Sequence, residues 1–179
     1  MTEQDKNRRF EQIALPHLDA AYNLARWLAG NDHDAADVVQ EAYLRAFKYF
    51  NSFTGGNARA WLLSIVRNAA YDWRCRNCEL PIGDAVAESD GSPGVFERAD
   101  GVDPFSLLVQ ERERKRINEA IAALPFDSRE VVVLREIEGL SYREIAEALS
   151  IPMGTVMSRL ARARDMLREL LTSGRSSHR

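Results

Sequence analysis

The chain has 179 residues, 45% hydrophobic and 28% charged, a balance typical of a globular protein with one or two small domains. No apolar run approaches the roughly 18 residues of a membrane span, and the polar start MTEQDKNRRF is no secretory signal, so a cytoplasmic location is expected. The net charge of −3 argues against binding nucleic acid by charge alone, because phosphate neutralisation supplies most non-specific affinity. That acidity is local: residues 1–78 carry 10 Lys/Arg against 9 Asp/Glu, residues 79–104 carry 1 against 7, and residues 105–179 carry 13 against 11.

A first helix is expected from near Pro16 to Ala29, with Leu18, Ala21, Tyr22, Ala25 and Leu28 on one face and Gly30 as its stop. The second starts at an Asn31-Asp32 cap, carries Asp34 at the positive end of the helix dipole, and runs to about Phe50. Beyond the Gly55-Gly56 loop a third spans roughly Arg59 to Asn77, with Leu62, Ile65, Val66, Ala69 and Trp73 as its apolar stripe. Residues 80–104 hold four glycines, three prolines and little periodicity, which is a linker composition. Asp103-Pro104 offers a cap and a first-turn proline for a helix ending near Leu124. Asp127 and Glu130 form a box-like start for another, ending before Gly139. No strand is convincing and no repeat is visible. The expected fold is all-α, with helical domains over 1–78 and 105–179 and an acidic linker over 79–104.

The stretch GLSYREIAEALSIPMGTVMSRLARAR, residues 139–164, is the most informative. Ser141 and Glu144 form an S-x-x-E capping box, and Leu140 and Ile145 are placed as its hydrophobic staple. Ser150-Ile151-Pro152 ends that helix, since the residue before proline is pushed from the α region. Val156, Leu160, Ala163 and Leu167 give the next helix its buried face. Two helices joined by a three- or four-residue turn have helix-turn-helix geometry. On the outward face lie Gly154, Ser158, Ala161, Arg162 and Asp165, with Thr155, Met157 and Arg168 at its edges and Arg159 and Arg164 leaning inward. Small residues beside an outward Arg and Ser let a helix approach a duplex, with donors for bases or phosphates.

Two further faces stand out. On the second helix Asp37, Gln40, Glu41, Leu44 and Lys48 recur as a stripe beside the buried Val39, Ala42, Tyr43, Ala46 and Phe50. Alone, such a stripe is an ordinary solvated face. The third helix carries Arg67, Tyr71 and Arg74 on one side, with Trp61 and Trp73 near its ends and Arg59, Asn68 and Arg76 close by. Basic residues interleaved with aromatics suit single-stranded nucleic acid, although Trp73 fits a core position better. Cys75 and Cys78 form a lone C-x-x-C without the second pair or histidines of a zinc site, and no metal or cofactor is expected.

These stretches together resemble the sigma-70 family of bacterial RNA polymerase sigma factors. DAADVVQEAYLRAF, with its D-x-x-Q-E core at Asp37, Gln40 and Glu41, resembles the polymerase-binding helix of region 2. AWLLSIVRNAAYDW resembles the helix beside the −10 recognition loop, and residues 124–164 resemble region 4. The likeness covers about residues 10–78 and 105–170, and two such domains on a short linker are the pattern of the extracytoplasmic function (ECF) group. It implies a non-enzymatic initiation factor that binds core polymerase at the β′ clamp helices and β flap, binds promoter DNA, and is held by an anti-sigma factor. It also implies the site residues. Asp37, Gln40, Glu41, Leu44 and Lys48 would meet polymerase. Asn57, Arg59, Trp61, Arg67, Asn68, Tyr71, Arg74 and Arg76 would meet the −10 strand. Arg143, Thr155, Met157, Ser158, Arg159 and Arg162 would meet the −35 duplex, with Arg162 on bases and Arg159 on phosphate. The chain departs from the family at Met157, where Lys or Arg is common, at Cys75 in place of Arg, and at Ser150 in place of Gly. The other function compatible with the helix-turn-helix is a stand-alone transcriptional regulator.

Overall fold

The computed structural model describes residues 3–77 and 104–173, and among them every regular element is helical. The first half consists of α1 (Glu3–Ala14), α2 (Leu18–Ala29), α3 (Asp32–Lys48) and α4 (Ala58–Asn77). Helix α1 was hidden in the sequence by its polarity, for it buries only Phe10 and Ala14. Phe10 stands edge-on to Tyr43, Phe47 and Phe50 at centroid distances of 6.2, 5.3 and 5.4 Å. Pro16 therefore does not open the first helix. It lies in a 3-10 turn, Leu15–His17, between α1 and α2.

The next boundaries follow their caps. Gly30 ends α2 at φ 93°, a left-handed conformation that glycine adopts without Cβ strain. Asn31 then accepts the Asp34 N–H at 2.9 Å to cap α3. Helix α3 stops at Lys48, with Phe50 in a short 3-10 turn. Leu24, Val38, Leu62, Leu63 and Val66 are fully buried where α2, α3 and α4 pack together.

The second half contains α5 (Pro104–Ala122), α6 (Phe126–Val132), a π-helical turn at Val133–Ile137, α7 (Tyr142–Leu149) and α8 (Met153–Ser173). Pro104 opens α5, whereas the rest of the expected linker and its Asp103 cap lie outside the described residues. The box expected at Asp127 and Glu130 does not form: Pro125 occupies the cap position without a side-chain bond, and Glu130 is fully buried. Phe126, Glu130 and Leu134 fall four residues apart, so the carboxylate is carried inward with two apolar neighbours. The Ser141–Glu144 box is complete, and Leu140 and Ile145 beside it are buried. Ser150 ends α7 at φ 54°, taking the left-handed position that glycine fills more easily.

The halves do not stand apart. Helix α4 packs on α7, and α2 packs on α6. This closure decides how much of each expected interface is open.

Candidate nucleic-acid and polymerase interfaces

Helix α8 presents the face the sequence predicts. Val156, Leu160 and Ala163 are buried, while Gly154, Met157, Ser158, Ala161, Arg162 and Asp165 are exposed. Thr155 is half-buried and its carbonyl accepts from Ser158 Oγ at 3.0 Å. Arg143 on α7 is exposed and pairs only locally, with Glu147 at 3.1 Å. Arg159 leans toward the domain, as its position on the helix predicts. It turns under the helix to Glu130 at 3.1 Å and Asp127 at 3.4 Å, because it shares the inward side with Val156 and Leu160.

The stripe on α3 is accessible. Asp37, Gln40, Leu44 and Lys48 are exposed, and Leu44 keeps 62% of its surface, a large apolar area for a solvated helix. Glu41 is partly drawn into the fold by Arg45 at 2.8 Å, which also reaches Asp72 of α4 at 2.5 Å. Tyr43, beside the stripe, is half-buried and donates to the Ala14 carbonyl at 3.0 Å; burial raises its phenol pKa to about 12. His33, Asp34 and Asp37 bring ligand atoms within 4.8 Å of one another at the open start of α3, an acidic first turn of the kind the helix dipole favours.

The basic side of α4 is partly covered by the second half, which engages Arg59, Arg67 and Arg74. Arg67 grips Glu130 with two nitrogens, at 2.7 and 3.3 Å, and Glu130 bridges it to Arg159. Arg59 reaches Glu138 at 2.5 Å, where the π-helical turn ends. Asn57 caps α4 by accepting the Ala60 N–H at 3.0 Å, and its amide also donates to Glu144. Tyr71 meets Phe126 edge-on at 6.1 Å, and the Arg74 guanidinium lies 4.8 Å from the same ring. Asn57, Asn68, Tyr71 and Arg76 nonetheless remain exposed, Tyr71 by 46%, and Asn68 accepts weakly from Arg67 at 3.4 Å. Trp61 packs in tilted contact with Phe53 at a centroid distance of 4.8 Å and with Phe50 at 6.2 Å, so it supports the loop before α4 as much as it faces outward. Trp73 is half-buried against the core. Cys75 is an exposed free thiol, and Cys78 lies outside the described residues.

The sequence reading missed the junction role of three charged residues: Arg129 and Glu138, which it did not single out, and Glu130, which it placed in a helix cap. Arg129 straps the halves together, donating to the Trp27 carbonyl at 3.1 Å and to the Ala122 and Leu124 carbonyls at 2.6 and 2.9 Å. Burial, reinforced by Arg74, lowers its pKa from the ordinary value. Burial also raises the carboxyl pKa values of Glu130 and Glu138 despite the opposing arginines. Their desolvation thus exceeds the attraction of their partners. Glu144 differs: the Ser141 backbone N–H lowers its pKa. A glutamate inside the apolar Phe126–Leu134 spacing was the available signal for Glu130.

Comparison with known proteins identifies the relatives of both halves. Residues 13–77 match the family model for sigma-70 region 2, and residues 114–167 match that for sigma-70 region 4. The "ECF RNA polymerase sigma-E factor" of Escherichia coli is 37% identical over 139 residues, covering 75% of the chain and 72% of that protein. The "ECF RNA polymerase sigma factor SigE" of Mycolicibacterium smegmatis is 33% identical over 162 residues, covering 90% of the chain but only 61% of the relative's own length. Among solved structures, the sigma factor RpoE of Bartonella quintana, crystallised with the anti-sigma factor NepR, is similar with a TM-score of 0.69 at 30% identity, covering 92% of this chain and 98% of that one.

Proposed function

Because this chain belongs to the ECF sigma factors of the sigma-70 family, we propose that it acts as a promoter-selecting subunit of RNA polymerase in the cytoplasm, with the labour divided between its halves. Residues 1–78 bind core polymerase through the open α3 stripe of Asp37, Gln40, Glu41, Leu44 and Lys48, and capture the −10 strand on α4. Residues 105–179 bind the β flap and read the −35 duplex with α8, and residues 79–104 tether the two. Members of the family are initiation factors, not enzymes. The observation that carries this reading is one chain holding both an exposed D-x-x-Q-E stripe and a groove-sized polar helix face. A stand-alone regulator would need only α7 and α8 and leaves the region 2 match over 13–77 without a role.

The closed junction sets a condition on this function. Arg59 and Arg67 cannot hold Glu138 and Glu130 and also hold strand phosphates. Polymerase, by binding the halves at separate places, exchanges these carboxylates for DNA. The RpoE chain similar to this one was crystallised with an anti-sigma factor, and a partner of that kind would instead keep the halves together.

Helix α8 provides the first test. Arg162 is exposed on the face opposite Val156 and Leu160, so Arg162→Ala should flatten the holoenzyme's preference at one or two −35 base pairs. A bidentate Arg–guanine contact discriminates by roughly 1–3 kcal/mol, about tenfold to a hundredfold. Arg159, held by Glu130 and Asp127, should cost fold stability when replaced by Ala and leave the base preference unchanged. Binding by both variants, measured across a −35 substitution series, separates the roles; a shifted preference in Arg159→Ala alone would reverse them.

A further inference from the structure

The outer face of α8 carries two parallel ridges. Gly154, Ser158 and Arg162, spaced by four, form a polar ridge, and Met153, Met157 and Ala161, also spaced by four, form an apolar one beside it. All six are exposed, Met153 by 50% and Met157 by 53%. The core has no need of either methionine, since Val156, Leu160 and Ala163 fill the buried face. Two large apolar side chains therefore project from the first five residues of α8. In a helix-turn-helix, that end of the second helix meets base edges in the major groove.

The base edges there are polar except for one group, the C5 methyl of thymine. A thioether side chain has no strong donor or acceptor with which to tell guanine from adenine. It is unbranched and adaptable, and so suited to cover a methyl group. We infer that Met157, with Met153 beside it, reads thymine methyl groups in the −35 element next to the base pair read by Arg162. This inference rests on the −35 reading of α8 proposed above. The apolar ridge would thus give this protein a different −35 preference from relatives with a basic residue at the same position.

Deoxyuridine is the direct probe, since it deletes the methyl and preserves pairing. Holoenzyme assembled from core polymerase and the full chain would first select a −35 sequence from a randomised library. Each thymine of that sequence, on either strand, would then be replaced singly by deoxyuridine. Wild type should bind about fourfold more weakly at one or two adjacent positions, the factor expected for one buried methyl. Met157→Ala should lose that sensitivity, and Met157→Arg should move the preference there toward guanine. Exposure of the side chain makes both replacements compatible with the fold, which helical circular dichroism would verify. Equal deoxyuridine penalties in wild type and Met157→Ala, or none at any position, would overturn the inference. In either case a flattened preference in Arg162→Ala would leave the −35 reading standing. If Arg162→Ala also kept the full preference, the reading of α8 would fall and the methyl contact with it.

Discussion

Replacing Glu138 with Arg should separate the two halves of the chain without unfolding either. Glu138 is 4% exposed in the closed arrangement and its partner Arg59 comes from the other half, so reversal sets like charges against each other only while the halves touch. Breaking a buried pair by changing one member typically costs about 3–5 kcal/mol. Arg59 keeps 37% of its side chain in solvent, which brings the expected shift to the low end, about a hundredfold in the closed-to-open ratio. Glu138→Gln should behave oppositely. Burial already raises the pKa of this carboxyl, so the closed site favours the uncharged form, and a neutral amide of the same shape leaves the halves together. By the same sign, this group's contribution to closure is greatest below its ordinary carboxylate range and is lost as pH rises through the elevated pKa. Small-angle scattering on the full chain would report a larger radius of gyration for Glu138→Arg alone, with helical circular dichroism unchanged. An unchanged radius in a folded Glu138→Arg would mean that the Arg59 pair does not hold the junction.

Asp37→Arg should all but abolish binding to core polymerase while leaving the melting temperature nearly as in wild type. Asp37 is exposed on α3, and surface replacements of this kind usually change stability by under about 0.5 kcal/mol. Removing a charge from the centre of an interface typically costs about 2–5 kcal/mol, and reversal adds repulsion. Glu41→Arg is the less clean variant. Glu41 accepts from Arg45, which in turn holds Asp72, so its reversal also disturbs the packing of α3 on α4. Titrating labelled chain with core polymerase should show a loss of at least about thirtyfold for Asp37→Arg. Wild-type affinity in that variant would remove the stripe from the polymerase contact.

Where the sequence was legible, a local rule was sufficient. Gly30 and Asn31 marked a helix stop and start, Ser141 and Glu144 closed a capping box, and the spacing on α8 separated Val156 and Leu160 from Ser158 and Arg162. These features depend on residues within one or two helical turns. The misreadings arose where distant partners decided. Helix α1 lacks an apolar stripe, and it is held by Phe10 reaching an aromatic cluster some 40 residues away in sequence. Glu130 looked like a cap because its spacing from Asp127 fitted one, yet Arg67, 63 residues earlier, and Arg159, 29 residues later, draw it inward. The α4 face was legible in its residue types but not in its closed state, since no periodicity in one helix reveals that another half of the chain covers it. Ser150 in a left-handed conformation shows the converse, a position where the turn geometry tolerates a residue that local preference would avoid.

Run-off transcription with core polymerase freed of other sigma factors, on a library of linear promoter templates, tests whether the chain selects promoters. Core polymerase and the chain together should yield transcripts with discrete starts that share −35 and −10 sequences, and neither alone should do so. The chain alone should bind the same duplexes weakly at physiological salt, given its net charge of −3 and the closed α4 face. No discrete transcript with core polymerase, together with tight sequence-specific binding of the free chain to duplex DNA, would contradict promoter selection by this chain.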